Sequence, residues 1–402
     1  MSNLERFFFN NTLLDGPLPR AYGKWTKIKE LQLGSNRLSG SLPVGWFGMT
    51  NLEFLYLDDN RFIGTLPSEF RSWAKVFDLR LNRNLLSGSL PVEWSELSAL
   101  EIFYLGENRL NGTLPSGYSN WSKIRDFRLQ ENQLEGTLPS EFGRMIDLED
   151  FNLELNRLSG SLPPEFGDWI KITDLRVYGN NLNGSLPSDW SSMTRLESFY
   201  FNQNQITGTL PVQWGRMTSL LTFSGFDNLL EGTLPSLFSQ LSNLASVALA
   251  INSLTGSIPE QWGNLKDLQL FLLADNRLTG SLPVSISNWT DLWWLGLDTN
   301  EMSGTLPSEL YVLTNLEVFT ISDNGFSGAL PESWSSLSNL RQPNFTANCL
   351  VGGVPEIYYT SWRQVESAYR DLWGVQGEGC TNYTSAFEDT IDGLFQSFPE
   401  LP

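Results

Sequence analysis

This 402-residue sequence contains no histidine, so carboxylates are the main groups that could carry hydrolytic or metal-binding chemistry. The candidates are Asp58, Asp59, Glu107, Glu131 and Glu154. Paired carboxylates can act as general acid and base, and carboxylate oxygens bind calcium. The lack of histidine excludes Ser-His-Asp and Cys-His nucleophile systems and HExxH zinc sites. Because the five acids fall at varying offsets and no DxDxDG calcium-loop motif is present, we expect no enzyme, no cofactor and no metal site.

A second set of side chains recurs every 24 residues and is suited to binding. It consists of Tyr56, Arg80, Tyr104, Arg128, Arg176 and Tyr200, with Asn152 at the remaining position. Tyrosine and arginine are enriched at the hot spots of protein interfaces. Asp78, Asp126 and Asp174 stand two residues before the three arginines, and each such ion pair would contribute roughly 0 to 1 kcal/mol. We expect this column either to bind a ligand or to be neutralised by its own carboxylates.

Further along the chain, the corresponding outward positions become apolar. They are occupied by Phe226, Leu270, Leu272 and Trp294. A large contiguous apolar patch on a protein surface usually marks an interaction site. We expect these side chains to be exposed and to bind a partner or a second copy of the chain.

These columns arise from an internal repeat of 24 residues. A Leu-Pro, Ile-Pro or Val-Pro dipeptide recurs at this interval from Pro19 to Pro355 without an insertion. A glycine lies three residues before each proline, and an asparagine lies seven residues before it from Asn36 to Asn348, with Thr12 in the first copy. The pattern reads L-x-x-L-x-L-x-x-N-x-L-x-G-x-L-P, with a large apolar residue three positions after the proline in most copies.

Each position of the repeat has a physical role. The Leu-x-Leu alternation predicts a short strand with one buried face, and the number of copies predicts one parallel sheet of about 15 strands. The asparagine amide can both donate to and accept from backbone groups of adjacent coils. Glycine and proline turn the chain toward the opposite side. The aromatic residues after the prolines, from Trp46 to Trp334, are predicted to fill the core rather than to form a ligand cage.

The motif, with its L-x-G-x-[IL]-P segment, resembles the plant-type leucine-rich repeat over residues 1–355. The G-[ST]-L-P-x-x-[WF] variant is also similar to the surface-antigen repeats of kinetoplastid protists. The resemblance implies an α/β solenoid, a right-handed superhelix with a parallel concave β-sheet and a convex side of 3-10 helices and loops. It also implies recognition or adhesion through the concave face, with a protein, peptide or glycan as partner.

The repeat divides the chain into three parts. Residues 1–355 are predicted to form the solenoid, 356–384 a C-terminal capping segment and 385–402 an acidic tail. The segment Met1 to Glu5 matches Met49 to Glu53 in phase, so the sequence begins inside a coil. Since solenoids normally seal their first coil, we expect an N-terminal cap and a secretion signal to precede it.

The two cysteines and the glycosylation sequons indicate an oxidising, extracellular environment. Cys349 and Cys380 flank the predicted capping segment, and a disulfide between them is the preferred interpretation, with two buried free thiols as the alternative. Asn-x-Ser or Asn-x-Thr sequons occur at Asn10, Asn111, Asn120, Asn183, Asn288, Asn344 and Asn382. We expect a secreted or cell-surface glycoprotein.

The net charge limits the kinds of molecule that the chain is expected to bind. A formal net charge of -19 disfavours nucleic acid and anionic membranes, and no apolar stretch is long enough to insert into a bilayer. The sequence therefore predicts a non-enzymatic extracellular protein that recognises a protein or glycan. The alternatives are a fragment of a receptor or receptor-like kinase, a structural coat protein and a carboxylate-dependent enzyme. The ligand and the oligomeric state are left open.

Overall fold

A computed structural model describes residues 3–352 and Tyr358, and within them 15 short parallel strands form one continuous sheet in chain order. Each residue pairs with the one 24 positions later, as Arg128 does with Asn152. The middle residue of every strand except the first is buried, and Phe7 of the first strand is partly buried against the core, which confirms the predicted sheet. The strands are Arg6–Phe8, Glu30–Gln32, Phe54–Tyr56, Asp78–Arg80, Ile102–Tyr104, Asp126–Arg128, Asp150–Asn152, Asp174–Arg176, Ser198–Tyr200, Thr222–Ser224, Ser246–Ala248, Leu270–Leu272, Trp294–Gly296, Val318–Thr320 and Gln342–Asn344.

A second set of strands, which the sequence analysis did not predict, is built from the segment around the repeat glycine. The glycines of this column have φ between 72° and 88°, a conformation that glycine adopts without strain. The strands form parallel sheets of eight, four and three members. They are Asp15–Pro17, Arg37–Ser41, Arg61–Gly64, Leu85–Ser89, Arg109–Thr113, Gln133–Thr137, Arg157–Ser161 and Asn181–Asn183; Thr207–Thr209, Leu229–Thr233, Ser253–Gly256 and Arg277–Leu278; Ser303–Thr305, Gly325–Gly328 and Cys349–Leu350.

The remaining side of each coil is a five-residue 3-10 helix that begins directly after the repeat proline. The predicted 3-10 side of the solenoid is thereby confirmed, and residues 3–352 contain no α-helix. No helix in the described part of the chain is long and apolar enough to cross a membrane. The 3-10 helices are Arg20–Lys24, Val44–Gly48, Ser68–Ser72, Val92–Glu96, Ser116–Asn120, Ser140–Arg144, Pro164–Asp168, Ser188–Ser192, Val212–Arg216, Ser236–Gln240, Glu260–Asn264, Val284–Asn288, Ser308–Val312 and Glu332–Ser336.

The aromatic column lies inside these coils and fills the core, as predicted. Its side chains from Trp46 to Trp334 are at most 2% exposed. Several of the tryptophans also join neighbouring coils, because the indole N–H donates to a carbonyl oxygen 27 residues earlier. Trp94 Nε1 donates to Pro67 O at 2.9 Å, and Trp190 Nε1 donates to Pro163 O at 3.0 Å.

The asparagine column forms a ladder of hydrogen bonds to the backbone. Asn156 is representative: its Nδ2 donates to the carbonyl oxygens of Leu129, Leu153 and Glu154 at 3.0, 3.2 and 3.2 Å. Its Oδ1 accepts from Leu134 N at 3.0 Å. Leu129 and Leu134 belong to the preceding coil, so one buried amide satisfies backbone groups of two coils.

A left-handed backbone conformation precedes each asparagine of the ladder. In 13 coils a non-glycine residue adopts it, with φ between 50° and 56°, and in one coil the residue is Gly179. The β-branched Ile251 has φ of 55° at this position. Because a β-branched side chain is disfavoured there, this coil carries local strain that asparagine or glycine would relieve.

We predict that Ile251→Asn stabilises its coil by about 1 kcal/mol, since asparagine tolerates the left-handed conformation. Ile63→Asn is the matched control, because Ile63 is also a non-core isoleucine but has no positive φ. Native-state hydrogen exchange of the amides near each site measures the local free energy of opening. Equal effects of the two substitutions would contradict the strain argument.

Candidate ligand-binding face

The first and third residues of each strand project from the outer side of the 15-stranded sheet, and together they form the sheet face. This surface corresponds to the predicted concave face. Because the register between strands is constant, equivalent side chains lie in straight columns across the sheet. The candidate residues from Tyr56 to Tyr200 lie in one such column, as the sequence predicts.

Tyrosine, arginine and aspartate side chains in these columns form a ladder, the Tyr-Arg-Asp ladder, in which Asn152 is the one interruption of the Tyr and Arg column. Arg80 binds Asp78 through Nε and Nη2, both at 2.9 Å, and the Tyr56 hydroxyl donates to the same carboxylate at 2.7 Å. The Arg80 guanidinium carbon lies 4.7 Å from the ring centre of Tyr56 and 5.1 Å from that of Tyr104. The arginine is thus held between two aromatic rings, in the range of cation–π attraction.

The pairing with aspartate continues at the next two arginines, each of which lies near one ring: Arg128 is 4.9 Å from the ring centre of Tyr104, and Arg176 is 5.3 Å from that of Tyr200. Arg128 contacts Asp126 at 2.7 and 3.1 Å and reaches the following coil, where it donates to Asp150 at 2.8 Å. Arg176 contacts Asp174 at 2.8 and 3.1 Å. The predicted pairing of arginines with their own carboxylates is therefore present. The arginine side chains are nevertheless partly accessible, with exposures of 38% for Arg128 and 30% for Arg176.

Among the carboxyl groups of this ladder, that of Asp150 has the most strongly raised pKa. Burial, together with the neighbouring Asp126 carboxylate, raises the pKa of Asp150 to about 7. The Arg128 guanidinium opposes this shift without cancelling it, because Arg128 is shared with Asp126. On the next coil, the Asp174 carboxylate also raises the pKa of Asp150, and the Arg176 guanidinium lowers it. The middle of the ladder is thus short of positive charge.

The expectation of exposed apolar side chains is wrong for Leu270 and Leu272, whereas Phe226 and Trp294 are partly exposed. Leu270 is 1% exposed and Leu272 is 3% exposed. The two leucines pack with Ala248 under the larger side chains of Phe226, Trp293 and Trp294. Outward side chains of adjacent strands lie close enough to pack on one another, so the large rings cover the smaller groups. The accessible apolar surface consists of the partly exposed Phe226, Trp293 and Trp294.

The predicted glycosylation sites differ in accessibility. Five acceptor asparagines are exposed, namely Asn10, Asn111, Asn120, Asn183 and Asn288. Asn344 is 4% exposed, and its Oδ1 accepts from the Thr346 hydroxyl at 2.8 Å, so this acceptor side chain is buried in the folded chain. Asn382 and Cys380 lie outside the described residues, as do the predicted capping segment and acidic tail. The Cys349–Cys380 disulfide stays a prediction.

The acidic residues proposed as an alternative catalytic or calcium site serve different local roles. Glu107 accepts from Arg83 Nε at 2.8 Å, and Asp59 lies 3.9 Å from the same guanidinium group. Glu154 is 9% exposed, and burial raises its pKa. Its Oε2 atom has no hydrogen-bond partner among the described residues. Within residues 3–352 and Tyr358, no group of three or more acidic or cysteine side chains is arranged to hold a metal ion.

One buried carboxyl group beside the sheet face, that of Asp298, was not predicted from the sequence. Asp298 accepts from the backbone N of Ser322 at 2.9 Å, from its hydroxyl at 2.8 Å, and from the Thr320 hydroxyl. Burial raises the pKa of Asp298 to about 6. The available signal was an aspartate that follows Ala250 and Ala274 at the same repeat position, although Asp58 and Glu154 also occupy this position in earlier coils.

We predict that Asp150 makes the protein less stable as the pH rises from about 4 to about 7. The pKa of Asp150 in the folded chain is about 7, which is above its ordinary value, so the folded state binds the proton more tightly and ionisation disfavours folding in this window. Asp150→Asn should remove this pH dependence. The stability of the variant relative to the wild type should therefore be greater at pH 8 than at pH 5. Thermal unfolding at both pH values measures the difference. A constant difference would contradict the raised pKa.

The chain is similar in sequence and structure to proteins built from leucine-rich repeats. The family model described as Leucine Rich Repeat matches residues 51–73 and 315–337. Among curated proteins, none is significantly similar in sequence. Solved structures of other proteins are similar to this chain, as three examples show.

The plant peptide hormone receptor RGFR1, solved in complex with RGF2, is 27% identical, with a TM-score of 0.81 over 92% of this chain and 62% of the receptor chain. The ectodomain of the Arabidopsis receptor kinase HAESA, solved with an IDA peptide hormone ligand, is 28% identical, with a TM-score of 0.85 over 90% of this chain and 61% of that chain. A leucine-rich-repeat protein of Leptospira interrogans is 25% identical, with a TM-score of 0.68 over 88% and 89% of the two chains.

This chain thus spans less than two thirds of the two plant chains. The repeat motif, the stacked parallel strands and the structural matches agree with one another. The chain therefore carries plant-type leucine-rich repeats and folds as a leucine-rich-repeat solenoid.

Proposed function

We propose that the protein is a non-enzymatic extracellular recognition protein that binds a polypeptide across its sheet face. The observation that carries this proposal is the Tyr-Arg-Asp ladder. Its guanidinium groups are fixed by carboxylates and rings while about a third of each side chain stays exposed. A ligand that contacts such groups does not have to pay the entropy of ordering long, mobile arginine side chains.

The chemistry of the two halves of the sheet face suits an extended polypeptide. The ladder offers planar N–H donors and aromatic faces, whereas Phe226, Trp293 and Trp294 offer partly exposed apolar area. Tyrosine, tryptophan and arginine are the residue types that dominate protein-binding hot spots. A chain lying across several strands would contact both regions, with its polar groups on the ladder and its apolar groups on the rings.

The structural neighbours support the same class of function. RGFR1 and HAESA are described in complexes with RGF2 and with an IDA peptide hormone. An extracellular location is also favoured by the five exposed sequons. We extend peptide or protein recognition to this chain as a proposal, since it spans about 62% of the RGFR1 chain.

We predict that Arg128→Ala and Trp294→Ala each weaken binding to a partner isolated by pull-down by about 2 kcal/mol, roughly 30-fold. The matched controls are Arg144→Ala and Phe47→Ala, which remove exposed side chains from the 3-10 side of the solenoid, together with Ser140→Ala. Isothermal titration calorimetry with the purified partner measures the loss. If the variants on the sheet face and the control variants bind alike, the ligand does not use this surface.

A further inference from the structure

The second half of the sheet face carries aromatic rings but no charged side chain. From Thr222 to Asn344, the first and third residues of all six strands are uncharged. Phe226, Trp293 and Trp294 are partly exposed in this half and cover the small apolar cluster beneath them. A ligand that binds here therefore has to pack on aromatic rings.

Carboxylates line one border of this half, which consists of the second and third residues after each strand. They are Asp227, Asp275, Asp298 and Asp323, and no lysine or arginine stands at these positions in the six coils. Asp275, Asp298 and Asp323 belong to three consecutive coils. In the described part of the chain these three carboxylates accept hydrogen bonds from hydroxyl and backbone groups, and no lysine or arginine forms an ion pair with them. Their negative charge is thus not neutralised by a neighbouring cation, unlike that of the aspartates in the Tyr-Arg-Asp ladder.

The cations nearest in the sequence leave this border negative. Arg341 lies 3.6 Å from Glu317, and Arg277 is exposed on the strand Arg277–Leu278. Burial raises the pKa of Asp275 and of Asp323, and the Asp275 carboxylate raises the pKa of Asp323 further. No lysine or arginine among the described residues lowers either pKa. A cation supplied by a ligand would therefore be attracted to this border, since charges interact more strongly where burial excludes water.

The aromatic rings and the border adjoin one another. Trp294 Nε1 lies 3.4 Å from the position that a Cβ atom of Gly296 would occupy, so the indole ring leans along the strand toward the border. Thr320 Oγ1 lies 3.6 Å from the same position and donates to the Asp298 carboxylate. The ring of Trp293 is inclined at 53° to that of Trp294, with ring centres 5.5 Å apart. An aromatic surface thus leads directly to a negatively charged border.

We infer that this half of the sheet face binds a basic segment of the polypeptide ligand, with an arginine side chain packed on the rings of Trp293 and Trp294. The guanidinium group faces the border carboxylates of Asp275, Asp298 and Asp323. Arginine suits this surface because its planar guanidinium stacks on aromatic faces and keeps its charge at every physiological pH. The net charge of -19 also attracts a basic ligand toward the chain. This inference rests on the proposed recognition function and specifies the chemistry of the ligand.

The site can be tested on the full chain without the natural partner. The probe is N-acetyl-L-argininamide, and the comparison ligand is N-acetyl-L-citrullinamide, which has nearly the same shape but no charge. Saturation-transfer difference NMR titrations at pH 8 measure both affinities. We expect the arginine probe to bind at least about fivefold more tightly, because only its side chain is attracted by the rings and the carboxylates. Raising the salt concentration from about 20 to about 300 mM should weaken the arginine probe alone.

A double variant, Asp275→Asn with Asp323→Asn, removes charge from the border while keeping the shape of both side chains. The two aspartates have φ of 51° and 52°, which asparagine tolerates, so the fold is preserved. We expect the variant to bind the arginine probe about fivefold more weakly and the citrulline probe equally well. The matched control is Asp168→Asn with Asp189→Asn, which removes two exposed carboxylates from the 3-10 side and should change neither affinity.

The contribution of the rings is tested with Trp294→Ala. We expect this variant to weaken binding of the arginine probe about tenfold, through loss of the cation–π attraction and of the packing surface. Phe47→Ala, which removes an exposed ring from the 3-10 side, is the control and should bind the probe as the wild type does. Sedimentation velocity on the wild type and on Trp294→Ala shows whether a second copy of the chain occupies the rings instead.

The outcomes separate this inference from the proposed function. Equal affinities for the arginine and citrulline probes, equal losses in the border and control variants, or a dimer that dissociates in Trp294→Ala would each overturn the arginine site. The proposed function would then still be decided by the pull-down partner and the Arg128→Ala variant. If instead the arginine site holds with the probe but the partner ignores the sheet face, the proposed function fails.

Discussion

The architecture depends on the asparagine ladder, because each of its amides fixes the position of one coil on the next. A chain that turns every 24 residues leaves many backbone N–H and C=O groups inside the solenoid, and each one left unsatisfied would cost about 1 to 3 kcal/mol. The ladder amides satisfy up to four such groups each, partly within their own coil and partly in the preceding one. A left-handed residue before each asparagine is the conformational cost of this geometry.

Constant register between coils has a direct consequence for the sheet face. Side chains at equivalent positions are forced into columns, so the chemistry of the surface is decided column by column. In the first half this produces ion pairs and cation–π contacts between coils, which hold the arginines in place while keeping them accessible. In the second half of the sheet it produces a small buried apolar cluster, which the side chains of Phe226, Trp293 and Trp294 cover. The same constraint therefore generates a preorganised polar surface and a partly shielded apolar one.

Much of this organisation follows from the sequence, since period, strand positions, buried aromatic residues and the structural role of the asparagines are properties of a local repeat. The pairing of Asp78, Asp126 and Asp174 with arginines also follows, because residues two apart on a strand share a face. The burial of Leu270 and Leu272 does not follow from the sequence, since it depends on how Phe226, Trp293 and Trp294 pack against them. The raised pKa of Asp150 and the unsatisfied Glu154 oxygen likewise arise from packing between coils, for which a single repeat contains no signal. The burial of Asn344 could not be predicted either, because its sequon has the same form as that of Asn183, which is exposed.

The most direct test of this account is native-state hydrogen exchange on Asn156→Asp, which keeps the shape of the side chain but removes the donors to Leu129, Leu153 and Glu154. The account predicts that protection of the amides in the two coils around residue 156 falls about 100-fold, equivalent to about 3 kcal/mol, while coils near the ends of the solenoid keep theirs. Asn243→Asp is the control, because it removes one exposed hydrogen bond to Thr218 O at 3.0 Å. Unchanged protection around residue 156, or an equal loss around residue 243, would show that the asparagine ladder does not hold the coils in register.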